Sequence, residues 1–111
     1  MHLAIVISSN DPETVWNAFR LGNSALAVGD GVTVFLLGKG VECVTLRSFR
    51  HDVAEQIELF RGTGGTLIGC GVCCESRAET MPYLKDDLQC EMGSMQTRAQ
   101  LIRESDRLLS F

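Results

Sequence analysis

The stretch Val32-Thr33-Val34-Phe35-Leu36-Leu37 decides the fold class, because it is a second buried strand and a helix separates it from the first. Residues 2–8 form the first strand, a continuous apolar run typical of strands that helices cover on both faces. Between the two strands, Asp11-Pro12-Glu13 marks a helix start, with an N-cap carboxylate and proline at the first helical position. A strand, a helix and a second strand make a βαβ unit, which predicts parallel pairing.

The same alternation continues along the chain. Asp52 caps a second predicted helix, which stops at residues 61–65, and a third strand is predicted at residues 66–70. A last helix from about Ser94 to Glu104 precedes a terminal strand at residues 107–111. Helices therefore separate successive strands over most of the sequence, as they do in parallel sheets.

Two segments have weaker patterns. Residues 41–51 predict no regular element, and residues 74–93 predict a short helix followed by a loop. The order of elements predicts an α/β fold: an open, mainly parallel sheet of four to five strands with helices on both faces, flavodoxin-like in its three layers. We expect residues 1–111 to form a single domain.

The 111-residue chain is acidic overall and has no basic stripe. Its formal net charge is −4, and its ten Lys and Arg residues are scattered, so we expect no nucleic-acid partner. No apolar run approaches the roughly 20 residues that span a bilayer, and the N-terminus lacks a signal-peptide pattern. We therefore expect a cytoplasmic protein with no membrane association. Five cysteines, without a secretion signal, predict reduced thiols rather than a disulfide framework.

Three of these thiols directly follow the third predicted strand, in Cys70-Gly71-Val72-Cys73-Cys74. Ligands of open parallel sheets bind outside the carboxyl ends of the strands, so chemistry is expected here. A helix beginning between Cys70 and Cys73 would aim its N-terminal dipole at Cys70 and favour a thiolate. Cys70 is therefore the predicted attacking thiolate, ionising well below the unperturbed value of about 8.5, and Cys73 the resolving or supporting thiol. These two are the candidate catalytic residues.

Three further residues and one loop are candidates for contact with this pair. Arg77 could stabilise a thiolate, a persulfide or a bound anion, or be a solvated surface arginine. His2 and His51 are distant in sequence from the thiols and are expected to be structural or exposed. With strand one central in the sheet, the loop at residues 8–10 is expected to lie next to Cys70.

The cysteine spacing leaves three alternatives open. Cys70 and Cys73 could form a reversible disulfide, because the Cys-x-x-Cys spacing is also that of thioredoxin-like redox motifs. Four sulfurs could in principle hold a zinc ion, although adjacent ligands strain a tetrahedral shell and no second Cys-x-x-Cys completes it. The thiols could also be small buried hydrophobic side chains. We expect no resident metal or cofactor.

Nearly the whole chain resembles the DsrE/DsrF/YchN-like proteins of the sulfur-relay type. The resemblance lies in the opening apolar strand, the strand that ends Val34-Phe35-Leu36-Leu37-Gly38, the helix at residues 52–60, the segment Leu67-Ile68-Gly69-Cys70-Gly71-Val72-Cys73 with Arg77 four residues later, and the closing residues 104–111.

The resemblance implies a parallel three-layer α/β fold and homo-oligomers, commonly trimers or hexamers, with the cysteine near a subunit interface. Cys70 matches the cysteine that carries a persulfide in sulfur-relay members, and Cys73 matches the second cysteine of the Cys-Gly-x-Cys subgroup. Two departures stand out: Ala78 follows the arginine where a glycine is usual, and Cys74 adds a third thiol.

The leading hypothesis is a sulfur carrier, or sulfurtransferase, that holds sulfane sulfur as a persulfide on Cys70 and passes it to a partner. Its implied partners are a sulfur donor and a sulfur acceptor protein. The alternatives are a dithiol/disulfide redox protein using Cys70 and Cys73, and a non-enzymatic oligomeric binding module.

Overall fold

The first βαβ unit forms as its sequence predicts. In the computed structural model, which describes residues 1–111, strand β1 (His2–Ile7) is followed by helix α1 (Pro12–Ala27) and strand β2 (Gly31–Leu36). The two strands pair in parallel along their full lengths, from His2 opposite Gly31 to Ile7 opposite Leu36. Five consecutive residues of each strand are buried, because helices or loops cover both faces.

The rest of the chain adds three strands, four α-helices and a 3₁₀ helix. These elements are the 3₁₀ helix Gly38–Thr45, α2 Val53–Gly62, β3 Thr66–Cys70, α3 Gly71–Glu75, α4 Leu84–Leu88, β4 Glu91–Gly93, α5 Met95–Glu104 and β5 Arg107–Ser110.

The five strands form one parallel sheet in the order β4-β3-β2-β1-β5. This confirms the predicted fold class of an open parallel sheet with helices. The expectation that strand one is central is wrong: β2 is central, and β1 lies between β2 and the edge strand β5. The loop after β1 and the thiols after β3 are therefore separated by the end of β2 and the 3₁₀ helix that follows it.

Helices lie on both faces of the sheet. Helix α1 packs on one face, where the Ile5 side chain lies beside Gly22 of α1. Phe35 and Ile68 point to the opposite face, since side chains alternate along strands, and they contact the Gly93–Thr97 segment that begins α5. The buried apolar residues of the strands and of both helix layers form one continuous core.

Side-chain caps begin the long helices at the predicted positions. The Asp11 carboxylate accepts a hydrogen bond from the Thr14 N–H at 2.9 Å, and Asp52 accepts one from the Glu55 N–H at 3.0 Å. Ser94 and Thr97 form a reciprocal capping box at the start of α5. Each cap gives a partner to an N–H that the first helical turn leaves unpaired.

Two segments differ from the sequence prediction. The 3₁₀ helix occupies residues 38–45, where no regular element was assigned beyond residue 40. Strand β4 was missed: its three residues, Glu91, Met92 and Gly93, extend the sheet by pairing with β3. They carry no strand-like apolar pattern, because Glu91 is exposed and Gly93 has no side chain.

Candidate functional site

The thiols lie where β3 meets a short helix, at the carboxyl edge of the sheet. Cys70 is the last residue of β3 and also the N-cap of α3. Its Sγ accepts a hydrogen bond from the Cys73 N–H at 3.3 Å, so the thiol takes the place that a serine or aspartate oxygen usually holds at a helix start. The predicted helix start between the two cysteines is thus confirmed.

The predicted lowering of the Cys70 pKa is wrong. The Cys70 side chain is buried, with the residue 5% exposed. Burial raises the pKa of the Cys70 thiol, and a hydrogen bond with the Cys73 side chain raises it further, which outweighs the opposite effect of the Cys73 N–H. Helix α3 has only five residues, so its dipole is too small to offset the loss of solvation.

Cys73 is the better exposed sulfur of the pair. It is half-buried on α3, and its Sγ accepts a hydrogen bond from the Gly38 N–H at 3.1 Å. A backbone N–H directed at sulfur stabilises a thiolate or a persulfide anion, because it gives the negative charge a fixed donor. The geometry therefore favours Cys73 over Cys70 as the sulfur that meets another molecule.

Two glycines shape the loop that supplies this N–H. Gly38 has a φ of 54°, a left-handed conformation that turns the chain directly after β2. Gly40 passes so close to β1 that a Cβ at its position would lie 2.0 Å from the Ile7 carbonyl oxygen. Only glycine lets the 3₁₀ helix approach the end of β1 this closely while Gly38 faces Cys73.

The Arg77 guanidinium makes no hydrogen bond with a cysteine sulfur, in contrast to the sequence hypothesis that it stabilises a thiolate directly. Its Nε donates to the Glu42 carboxylate at 2.7 Å, and its Nη1 donates to the Cys73 carbonyl oxygen at 3.0 Å. The Asn10 side chain also donates to Glu42, at 3.3 Å. The Arg77 hydrogen bond holds the pKa of the Glu42 carboxyl below its usual range. The loop after β1 thus reaches the site through Asn10 and Glu42.

The other three thiols are less suited to chemistry. Cys74 is buried beside the pair, and burial raises its pKa; burial likewise raises the pKa of half-buried Cys90. Cys43 is buried inside the 3₁₀ helix, where loss of solvation raises its pKa to about 12. Thiols with raised pKa values remain protonated near neutral pH and react slowly.

Both histidines have structural contacts, as predicted, and neither hydrogen-bonds to a thiol. His2 is at the opposite end of β1, where its Nε2 is 3.0 Å from the Thr33 hydroxyl. The His51 ring packs edge-on against Trp16, with centroids 5.0 Å apart. No group of three or more His, Cys, Asp or Glu side chains is placed to hold a metal ion, so the cysteines considered as zinc ligands do not converge. No helix has the length and apolar character needed to cross a membrane.

The largest cavity, of about 730 Å³, lies between α2 and the segment after the 3₁₀ helix. Arg61 and Phe49 are among its lining residues, and neither Cys70 nor Cys73 contributes to it. Phe49 lies in the segment for which the sequence predicted no regular element, and its side chain is fully exposed at this cavity. The thiols lie outside this cavity, at the carboxyl ends of the strands.

The sequence identified the two cysteines but not the residues of the other segments that surround them. Gly38 was interpreted as the end of a strand and Asn10 only as part of the loop at residues 8–10, while Glu42 was not considered. The available signal was the Gly38-Lys39-Gly40 turn at the carboxyl end of β2, which parallel topology places at the same edge as Cys70.

Comparison with known proteins agrees with this architecture. The sequence model of the DsrE/DsrF-like family matches residues 1–111. The chain is 30% identical over 105 residues to the uncharacterized protein MJ0989 of Methanocaldococcus jannaschii, covering 89% of this chain and 88% of that protein. It superposes with a TM-score of 0.78 on the conserved protein of unknown function BT1422 from Bacteroides thetaiotaomicron, which is 19% identical, covering 99% and 94% of the two chains. The structural likeness shows the fold alone.

Proposed function

Because the chain belongs to the DsrE/DsrF-like family, we propose that it is a sulfur-relay protein that carries sulfane sulfur on the Cys70–Cys73 pair. The observation that carries this proposal is the placement of the sulfur of half-buried Cys73 against the Gly38 N–H, 3.1 Å away, at the carboxyl edge of the sheet. Membership in the family suggests relay-type chemistry, and the geometry supplies a sulfur suited to it.

The transfer steps use the two thiols differently. The Cys73 thiolate attacks the outer sulfur of a donor persulfide; the donor S–S bond breaks, and the donor leaves as a thiolate. Cys73 then holds the persulfide, with the Gly38 N–H as a donor to its sulfur. In the second step an acceptor thiolate attacks the outer sulfur and Cys73 leaves as the thiolate. Cys70, kept protonated by its raised pKa, supports Cys73 as a hydrogen-bond partner.

This assignment exchanges the roles that the sequence predicted. A persulfide on Cys70 stays a prediction. Cys70 is buried, however, and the sulfur that attacks a donor protein must be accessible at the protein surface. The exposure of Cys73 supports it as the first sulfur acceptor.

Sulfur loading with peptide mapping tests the proposal. The protein is incubated with cysteine persulfide and analysed by intact mass and by proteolysis. Wild type and Cys70→Ser are expected to gain one sulfur atom on Cys73, whereas Cys73→Ser gains none. Cys90→Ser is the matched control, since Cys90 is also half-buried but lies outside the pair, and it should load like wild type. An adduct confined to Cys70 refutes the exchanged roles, and no adduct on either residue refutes the function.

A dithiol redox protein is a second candidate, favoured by the Cys-x-x-Cys spacing and by the hydrogen bond of 3.3 Å that brings the Cys73 N–H onto the Cys70 sulfur. Oxidised glutathione would take two hydrogens from the pair, leaving a disulfide and two molecules of reduced glutathione. This candidate predicts a loss of two hydrogens that dithiothreitol reverses. If that disulfide forms readily while persulfide loading fails, the redox function replaces the relay.

The proposed partners are a sulfur donor protein, a sulfur acceptor protein and further copies of this chain in a trimer or hexamer. Exposed apolar residues at two separate places support association: Phe49 beside α2 is fully exposed, and Leu108 and Leu109 of edge strand β5 are each about 40% exposed. Light scattering coupled to gel filtration measures the subunit number directly. A monomer at all accessible concentrations would contradict the oligomer.

A further inference from the structure

Two hydrogen bonds connect the start of the 3₁₀ helix with the segment at residues 73–77. The Gly38 N–H donates to the Cys73 sulfur, and the Arg77 guanidinium donates to the Glu42 carboxylate. Each bond connects residues that are 35 positions apart in the sequence. The start of the 3₁₀ helix, residues 38–42, therefore lies alongside residues 73–77 and is attached to them at both ends.

The Glu42–Arg77 contact is the stronger of the two. Its Nε–Oε2 distance is 2.7 Å, and both side chains are largely buried, with 16% of Glu42 and 22% of Arg77 exposed. Arg77 also donates to the carbonyl oxygen of Cys73, so one guanidinium binds both Glu42 of the 3₁₀ helix and the backbone of Cys73. Asn10 holds the second carboxylate oxygen of Glu42. An ion pair held on both sides has little freedom to rearrange.

The Gly38–Cys73 contact, in contrast, depends on its surroundings. An N–H···S hydrogen bond is weak and cannot by itself hold a loop. The loop also lacks side-chain contacts of its own at this point, because Gly38 has no side chain and adopts a left-handed conformation. Before Gly38 the chain is fixed by the hydrogen bond from the Leu37 N–H to the Ile7 carbonyl oxygen, at 2.9 Å. Beyond Gly38 the direction of its N–H depends on how the 3₁₀ helix is anchored.

We infer that Glu42 is a positioning residue for Cys73: its ion pair with Arg77 holds the 3₁₀ helix so that the Gly38 N–H remains on the Cys73 sulfur. The inference deepens the proposed function, since it rests on Cys73 being the reacting sulfur. Arg77 then acts through Glu42 and the Cys73 carbonyl and does not contact the persulfide. Loss of Glu42 would leave both cysteines in place and remove the donor that stabilises the anion on Cys73.

The test measures alkylation of Cys73 by iodoacetamide as a function of pH, quantified by mass spectrometry of its peptide. Thiolates are the reacting form, so the curve reports how easily Cys73 ionises. In Glu42→Ala the pH of half-maximal rate is expected to shift upward by about one unit, which makes alkylation near neutral pH about tenfold slower, as expected for loss of one hydrogen bond to an anion. At high pH the rates of variant and wild type should converge.

Two further variants separate positioning from general damage. Glu75→Gln removes another acidic residue of the same segment, whose ion pair with Lys85 is exposed, and it should leave the curve unchanged. The double variant Glu42→Arg with Arg77→Glu reverses the pair and should restore part of the shift. An unchanged Cys73 curve in Glu42→Ala overturns the inference, as does an equal loss of rate at every pH.

The outcome is independent of sulfur transfer, because alkylation requires no persulfide. If the curve shifts while no sulfur adduct forms in wild type, the positioning role stands and the proposed function fails. If adducts form and Glu42→Ala alkylates and loads as fast as wild type, the proposed function stands and the positioning role fails.

Discussion

Replacing Gly40 by alanine tests whether the close approach of the 3₁₀ helix to β1 sustains both the fold and the site. A Cβ at this position would lie 2.0 Å from the Ile7 carbonyl oxygen and 2.8 Å from its carbon. A comfortable carbon–oxygen contact is roughly 3.3 Å, so the two segments must separate by about 1.3 Å. The hydrogen bond from the Leu37 N–H to the same oxygen, at 2.9 Å, cannot survive a displacement of that size unchanged.

The expected cost combines two effects. Overpacking of a tight interior contact costs about 1–3 kcal/mol, and losing one buried backbone hydrogen bond costs about 1 kcal/mol more. We therefore expect Gly40→Ala to lower the free energy of unfolding by about 2–4 kcal/mol and the melting temperature by roughly 8–16 °C. Because Gly38 moves with the helix, alkylation of Cys73 near neutral pH should also slow.

Urea unfolding followed by circular dichroism measures the first effect. Gly62→Ala is the matched control: Gly62 ends α2, no atom lies within 4 Å of its Cβ position, and its φ is not left-handed. That control should change stability by less than about 1 kcal/mol, in the stabilising direction. If Gly40→Ala unfolds at the same urea concentration as wild type, the steric argument and the anchoring of the 3₁₀ helix are both refuted.

Three more predictions concern other parts of the molecule. Arg77 lowers the pKa of Glu42, so the ion pair stabilises the fold at pH values above the ordinary glutamate pKa, and this stabilisation is lost as pH falls through the lowered pKa. Between about pH 5 and pH 3 the urea midpoint of wild type should therefore fall more steeply than that of Glu42→Gln. Parallel curves for the two proteins would contradict this prediction. Phe60 is fully buried and packs edge-on against Phe19 at 5.5 Å, so Phe60→Ala should cost about 3–5 kcal/mol in urea unfolding, and a loss below about 1 kcal/mol would show that the site collapses around the cavity. Cys43, with its pKa raised to about 12, should be the slowest of the five cysteines to label in a mass-spectrometric time course, and labelling as fast as that of Cys73 would be inconsistent with its burial.

Much of the fold follows from local signals in the sequence. The apolar runs at β1 and β2 predict buried strands because their residues must leave water on both faces. Asp11, Asp52 and Ser94 predict helix starts because a side-chain oxygen there satisfies an N–H a few residues away. The position of Cys70 at a strand end and a helix start depends on the same short-range patterns.

The parts that sequence reasoning missed depend on contacts between distant segments. Strand β4 exists because β3 offers it hydrogen bonds, and its own residues do not favour a strand. The sheet is centred on β2 and not on β1 as predicted, because a βαβ pattern predicts parallel pairing without saying on which side later strands add. The contacts of Gly38 with Cys73 and of Glu42 with Arg77 join residues 35 positions apart, and no periodicity predicts them.

By itself the sequence determined that two thiols lie together at the carboxyl edge of a parallel α/β sheet, since strand ends, helix caps and Cys-x-x-Cys spacing all act over a few residues. The tertiary structure alone decided the surroundings of each sulfur, which are buried for Cys70 and include the Gly38 N–H for Cys73. Ionisation depends on the solvent and the hydrogen-bond donors around a sulfur, and these come from the whole fold: burial raises the pKa of Cys70, while the loop after β2 brings an N–H to Cys73.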